Sequence, residues 1–192
     1  MQTGDLVIYK RSCTPTAWWL LDVVISLVTG APWVHVGMVV KDPHWLQLKG
    51  TYLWESGWTG IEDGADHKKH FGVQLVPLNE RIVPGSTYCR RYSGPTLDLE
   101  DAYNRLHGKP YDINPFDWLA AAIGWDPFPQ RERRFWCSAF VACVLTTCNI
   151  LPKTTDWTVV APGFFARGLT QYYGAIHSLE LPPQPQTEGP RE

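Results

Sequence analysis

One cysteine of the chain stands where a helix is predicted to begin. Cys137 is followed by apolar residues at helical spacing, Phe140, Val141, Val144 and Leu145. The unpaired N–H groups and the dipole of a helix start stabilise an anion, and the same N–H groups can hold an oxyanion. A thiol in this place is therefore either a small buried hydrophobe or an activated nucleophile.

A histidine lies on a predicted strand about a hundred residues earlier. In "WVHVGMVV", residues 33–40, strand alternation places Trp33, His35 and Gly37 on one face and an unbroken apolar row on the other. Because Gly37 has no side chain, it leaves room for another group beside the imidazole. By itself the strand favours a half-buried histidine that is hydrogen-bonded to the backbone.

A carboxylate on the next predicted strand could reach that histidine. Glu55 belongs to "TYLWES", residues 51–56, and the parity of positions 35 and 55 allows the two side chains to share a face of an antiparallel pair. The register is not fixed by the sequence. A carboxylate there would orient the imidazole and stabilise its charged form, whereas Glu55 alone is typical of an exposed strand end.

A possible metal pair occurs in "HKKH", where His67 and His70 are three residues apart. With no third ligand at a fixed spacing, a solvated loop is the better interpretation. The sequence therefore predicts no metal site and no cofactor.

The elements that must position these residues divide along the chain. Strands are predicted first and most helices later, which indicates an α+β fold with an antiparallel sheet or small barrel packed against helices. The predicted strands are 4–11, 33–40, 51–56, 73–78 and 86–92, and the predicted helices are 17–28, 99–107, 118–123, 137–148 and one that begins at Pro162. Residues 1–180 are predicted to form one domain, and the Pro-rich residues 181–192 a disordered tail.

Composition excludes several classes of protein. A net charge of −2 over 192 residues offers no electrostatic footprint for nucleic acid. Five cysteines without a CxxC pair argue against a disulfide framework, and the N-terminus lacks a signal-peptide pattern. The expected location is the cytoplasm. The apolar stretch 17–28 is shorter than the roughly 20 residues of a membrane span, which favours a buried or interfacial helix.

Taken in order, these motifs resemble the circularly permuted branch of the NlpC-type papain-like superfamily. The chain is similar to the permuted amidase group of YaeF/YiiX type, which has members in bacteria and in some large DNA viruses, and the similarity runs from about residue 4 to 170. The matching motifs are Gly4-Asp5-Leu6, His35-Val36-Gly37, Glu55, Tyr111-Asp112 and Cys137-Ser138.

The resemblance implies a permuted papain-like fold and a cysteine hydrolase of amidase or peptidase type. Cys137 would be the nucleophile, His35 would transfer protons, and Glu55 would orient His35. The Cys137 N–H would form part of the oxyanion hole. One alternative is a thiol acyltransferase or lipid esterase of the lecithin:retinol acyltransferase type, although that group carries a second histidine where this chain has Glu55. Another alternative is a non-catalytic binding protein on the same scaffold.

The expected partner is a small-molecule or peptide substrate with a lipid-like acyl part. Most of the ten tryptophans must belong to the core, but large flat side chains can also line an apolar cleft. The candidate substrate-binding residues are Trp18, Trp19, Trp33 and Tyr111. The helix 17–28 is expected to form a wall of the substrate groove or a peripheral contact with a membrane.

Overall fold

A computed structural model describes residues 1–11, 23, 26, 30–112 and 133–180. Its strands are β1 (Leu6–Lys10), β2 (Trp33–Lys41), β3 (Thr51–Trp58), β4 (Phe71–Pro77), β5 (Thr87–Tyr92) and β6 (Tyr173–Ser178). Its α-helices are α1 (Glu100–Leu106), α2 (Cys137–Thr147) and α3 (Pro162–Arg167), and its 3₁₀ helices are η1 (His44–Leu46), η2 (Leu78–Arg81) and η3 (Trp157–Val159).

The six strands form one sheet in the order β4-β3-β2-β1-β5-β6, with antiparallel pairing throughout. The predicted α+β class and antiparallel sheet are confirmed. The described strands form an open sheet with β4 and β6 at its edges rather than a barrel. The permuted papain-like arrangement and the domain boundaries stay predictions.

The hairpin of β3 and β4 is longer than the sequence predicts. Pairing continues through Gly57 and Gly72 to Trp58 and Phe71, where the glycine-rich and charged sequence favoured a loop. Strand β6 was not predicted, because an edge strand that is largely exposed has no apolar alternation to reveal it.

Some predicted segments lie outside the described residues. The helix at 118–123 and the tail 181–192 belong to this group, as does most of the stretch 17–28, of which Val23 and Ser26 are helical. None of the helices in the described part of the chain is long and apolar enough to span a bilayer. The expected cytoplasmic location and the contact with a membrane surface stay predictions.

Helix α2 packs on one face of the sheet and forms the main core with it. All its residues from Cys137 to Leu145 are buried, and Phe140 stacks edge-on against Trp54 with ring centroids 4.8 Å apart. A helix that is apolar all round is held by its neighbours rather than by its own propensity. The sheet therefore decides where the first residue of α2 lies.

The opposite face carries a smaller core of Val7, Tyr9, Val39, Leu53, Val76 and Leu78. Helix η2 follows β4 directly and contacts both β3 and β4. Its last residue, Arg81, thereby comes to lie beside the polar residues of β3 on this second face.

A bulge near the start of β2 interrupts the predicted alternation. Tyr9 of β1 pairs with His35, but Lys10 pairs with Trp33, so Val34 is an extra residue. Trp33 consequently lies on the face of the main core, with its ring edge-on to Tyr88 at 5.3 Å. The prediction that Trp33 and His35 share a face is wrong, because period-2 alternation does not anticipate an inserted residue.

Candidate active site

Cys137 is the first residue of α2 and lies next to the bulge of β2. Trp136 before it is extended and gives the helix no side-chain cap, so the first-turn N–H groups still favour a negative charge. The Cys137 side chain is buried, and its Sγ lies 3.9 Å from the Val34 carbonyl oxygen.

The backbone before Cys137 is fixed from two sides. The Ser56 hydroxyl donates to the Phe135 carbonyl oxygen at 2.6 Å. The Phe135 N–H donates to the Pro110 carbonyl at 3.1 Å, and the Asp112 N–H donates to the Phe135 carbonyl at 3.2 Å. Strand β3 and the segment 110–112 therefore hold the start of α2 in place.

His35 lies between the cysteine and a carboxylate. Its Nε2–H donates to Glu55 Oε2, which leaves Nδ1 as the nitrogen available to the thiol. Burial lowers the pKa of His35, but the negative charges of Cys137 and Glu55, with hydrogen bonds from both side chains, outweigh burial and raise that pKa to about 9. The imidazole thus has a partner for its positive charge on each side.

Glu55 is fully buried and has a second cationic partner. Arg81 donates two hydrogen bonds to this carboxylate, from Nε to Oε1 at 2.6 Å and from Nη2 to Oε2 at 3.0 Å. Burial raises the pKa of Glu55, but the charges of Arg81 and His35 and their hydrogen bonds prevail and lower it to about 2. Glu55 is therefore an anion with a fixed orientation at any working pH.

The close contact between β2 and β3 depends on Gly37, which has no side chain. The register pairs Met38 with Trp54, and its continuation sets Gly37 opposite Glu55 and His35 opposite Gly57. A Cβ on Gly37 would lie 2.8 Å from a Leu53 side-chain carbon and 3.1 Å from Glu55 Cβ. The space beside the imidazole that the sequence indicated is therefore filled by Leu53 and Glu55, and His35 meets Glu55 diagonally.

The structure thus brings Cys137, His35 and Glu55 together. A thiol at a helix start, an imidazole that can transfer protons and a fixed carboxylate are the parts that nucleophilic acyl transfer needs.

Sequence reasoning missed two residues that complete this arrangement. Arg81 follows β4 in a charged turn, and no spacing rule connects it with Glu55. Tyr9 of β1 pairs with His35 of β2. Its ring contacts both His35 and Arg81, with its centroid 5.3 Å from the His35 ring centroid and 5.2 Å from the Arg81 guanidinium carbon. Strand parity could have suggested Tyr9, since it follows from the pairing of β1 with β2.

The candidate substrate-binding residues are distributed differently from the prediction. Trp18 and Trp19 lie outside the described residues, and Trp33 packs against Tyr88. Tyr111 stacks on Phe71 with ring centroids 5.3 Å apart, and Trp58 lies edge-on to Phe71 at 6.2 Å. Trp58 and Phe71 are exposed. We call Trp58, Phe71 and Tyr111 the aromatic cluster; it lies where β3 ends and β4 begins.

A comparison with solved structures matches the chain to the crystal structure of metalloprotein yiiX from Escherichia coli O157:H7, at 24% sequence identity and a TM-score of 0.47. The match covers 77% of this chain and 66% of that chain, so this chain spans slightly less than two thirds of the length of yiiX. No protein-family model and no curated protein matches the sequence. The family stays the prediction that the motifs support.

Proposed function

We propose that the protein is a cysteine hydrolase that cleaves an amide bond next to an apolar acyl group. The observation that carries the proposal is the line of contacts from Cys137 through His35 to Glu55. A buried carboxylate that is held by a guanidinium and in turn holds an imidazole is costly to build unless each partner is satisfied. Its use here is to present a charged, oriented imidazole to a thiol.

The reaction follows from these positions. The Cys137 sulfur attacks the substrate carbonyl carbon as a thiolate, and the first-turn N–H groups of α2 stabilise the oxyanion. His35 then gives its proton to the leaving nitrogen as the carbon–nitrogen bond breaks, which leaves a thioester on Cys137. His35 next takes a proton from water, the resulting hydroxide attacks the thioester carbon, and the carbon–sulfur bond breaks. The acid is released, and Cys137 is again a thiolate beside the protonated His35.

The aromatic cluster supports an apolar acyl group in the substrate. Tyr111 of this cluster pairs with Phe135, two residues before Cys137, which links the cluster to the start of α2. Exposed aromatic side chains grouped next to reactive residues bind apolar chains at small entropic cost, because their rings are rigid. We therefore infer that an acyl chain lies over Trp58 and Phe71 while the carbonyl faces Cys137.

The experiment is a screen of N-acyl amino acids, lipid esters and muropeptides with wild-type protein and the Cys137→Ala variant. We expect hydrolysis of acylated amides by wild type and a loss of about 10²-fold or more in His35→Ala. Intact-mass analysis after a rapid quench should show the acyl group on wild type and none on Cys137→Ala.

Two results would count against the proposal in different ways. Turnover that persists in Cys137→Ala would exclude the thiol as nucleophile. An acyl-enzyme that forms but passes its acyl group to added amines or lipids much faster than to water would favour the acyltransferase alternative.

A further inference from the structure

A second group of side chains, which could bind a metal ion, lies away from Cys137. Asp63, His70 and His107 each offer one ligand atom, and these atoms lie within 4.8 Å of one another. Asp63 and His70 belong to the loop between β3 and β4, and His107 follows the last residue of α1. Two segments far apart in sequence therefore converge on one point at the edge of the sheet.

Among the described residues, only backbone N–H groups donate hydrogen bonds to the buried side chain of Asp63. It is fully buried, and its two oxygens accept hydrogen bonds from the Ala65 N–H at 2.8 Å and the Leu75 N–H at 2.6 Å. Among the described residues, the only basic side chain within 4 Å is that of His107, whose Nε2 is 3.7 Å away. That distance is too long for a hydrogen bond, so the backbone alone orients the carboxyl group.

His107 is more unusual still. Both its ring nitrogens are buried and have no hydrogen-bond partner among the described residues, and its ring stacks on Tyr103 with centroids 4.4 Å apart and planes at 20°. Buried polar atoms almost always have a partner, and each exception needs an explanation. The His107 ring is fixed by packing, lies beside a buried carboxyl group and has its nitrogens free of hydrogen bonds to the described residues. This arrangement is what a preorganised metal ligand requires.

His70 completes the group and has its own support. Its ring is edge-on to that of His107 at 5.7 Å, and its Nε2 lies 3.0 Å from both carboxylate oxygens of Asp66. A carboxylate behind a histidine fixes the orientation of the ring and increases its basicity, as is usual for metal-bound histidines. Asp66 is thus placed to orient His70.

We propose that Asp63, His70 and His107 bind a zinc ion. Two imidazole nitrogens and one carboxylate oxygen form a donor set that zinc accepts, and the ion would neutralise Asp63 and satisfy His107 at once. Zinc ligands with bonds of about 2.1 Å lie about 3.4 Å apart, so the three atoms need to close in by about 1 Å. The half-buried His70, on a loop, can supply that movement.

The sequence argument against a metal in "HKKH" rested on the lack of a third ligand. The fold supplies it from elsewhere, since it retains His70, leaves His67 exposed and adds Asp63 and His107. Bound zinc would tie the end of α1 to the β3–β4 loop. His107 is followed by the segment whose Pro110 accepts the Phe135 N–H, so the ion would also stabilise the approach to Cys137 without taking part in its chemistry.

The test uses the full chain, stripped with a chelator and dialysed against zinc chloride. Bound zinc is measured by elemental analysis, and the visible spectrum of the cobalt-loaded protein reports the ligand set. The variants are His107→Gln, His70→Gln, Asp63→Asn and Asp66→Asn. His67→Gln is the matched control from the same loop, and Cys137→Ala removes the thiol that lies beside the His35 imidazole.

We expect one zinc per chain, a visible cobalt spectrum and a zinc-dependent rise in Tm. His107→Gln and His70→Gln should weaken zinc binding at least 100-fold, and Asp66→Asn about tenfold, while His67→Gln and Cys137→Ala bind as wild type does. Far-UV circular dichroism and the metal-free Tm of each variant verify folding; His70→Gln, at a half-exposed position, keeps the test valid if Asp63→Asn does not fold. Failure of wild type to bind zinc, or equal binding by the His107→Gln and His70→Gln variants, would overturn the proposal and leave the cysteine hydrolase proposal untouched.

Discussion

At the scale of single residues, the Cys137 thiol should react first, although it is buried. Cys148 is more exposed, but burial and the charge of Asp98 raise the pKa of Cys148 to about 11. Cys143 is buried in the middle of α2. We expect limiting iodoacetamide at neutral pH to label Cys137 ahead of both, because the thiolate is the reactive form. Site-resolved mass spectrometry against time measures the order.

The same experiment separates the roles of the two neighbours. His35→Ala should slow labelling of Cys137 by roughly tenfold or more, because the positive partner is lost. Glu55→Gln should slow it less, since Glu55 acts through His35. If Cys137 labels no faster than Cys143, or if His35→Ala leaves its rate unchanged, the thiol is a packing residue and the catalytic assignment fails.

The charge of His35 can be followed directly. Its raised pKa of about 9 depends on the negative charges of Cys137 and Glu55. NMR titration of the His35 ring should therefore give a midpoint near 9 in wild type and one nearer 6.5 in Cys137→Ala. Because the folded pKa is raised, the stabilisation is complete below about pH 6.5 and is lost as the pH rises through about 9. Unchanged midpoints in Cys137→Ala would show that the two side chains do not interact.

Arg81 should matter more for stability than an exposed arginine in a similar pair. Arg81→Met leaves Glu55 buried with one partner fewer and should lower the free energy of unfolding by about 3 kcal/mol. Arg91 donates to the buried Asp5 at 2.8 Å but is 56% exposed, so Arg91→Met is the control and should cost under about 1 kcal/mol. Urea unfolding at neutral pH compares the two.

The pH dependence of stability on the acid side gives a second test of the pair between Arg81 and Glu55. The pKa of Glu55 is lowered to about 2, so its stabilisation is complete above the unfolded value near 4.5 and is lost as the pH falls towards 2. In Arg81→Met the pKa of Glu55 should be higher, because only His35 then opposes the effect of burial. The loss of stability should therefore begin at a higher pH. Identical acid profiles for wild type and Arg81→Met would contradict the assigned ion pair.

At the scale of elements, the contact of β2 with β3 depends on Gly37. A methyl group there would overlap Leu53 and press on Glu55, so Gly37→Ala should destabilise the fold by about 1–3 kcal/mol and slow labelling of Cys137. Gly57→Ala is the matched control, since its Cβ would lie 3.4 Å from His35 Cε1, an ordinary contact. Equal effects of the two substitutions on labelling and stability would show that the contact does not depend on Gly37.

Much of the arrangement of the strands could be predicted from the sequence, because strand alternation is a local property. Five of the six strands, and the parity of His35 and Glu55, follow from apolar patterns. The bulge at Val34 could not be predicted, since it arises from pairing between β1 and β2, and it moves Trp33 to the other face. Arg81 was missed for a similar reason: its partner is set by the fold of η2 over β3.

At the scale of the whole molecule, the sequence indicated the class of the fold but not which distant residues meet. Cys137 and His35 could be associated only because both stood in motifs with a known order. Asp63 and His107 stand in no motif, and their approach follows from the backbone hydrogen bonds of Gly108 and Lys109 with Val73 on the edge strand β4. Chemistry that depends on long-range contacts without a local pattern is therefore found in the structure alone.

The burial of α2 on all sides has a consequence for how the chain folds. Such a helix is marginal in isolation, and the Cys137 thiol meets the Val34 carbonyl across 103 positions of sequence. Contacts of that separation close late, after the loop entropy between them has been overcome. In refolding from urea, pulses of iodoacetamide should find the heightened reactivity of Cys137 only after most of the circular dichroism signal has returned. The nucleophile would then report the completion of the native topology, and a nascent chain would carry an unreactive thiol until its last helices had docked.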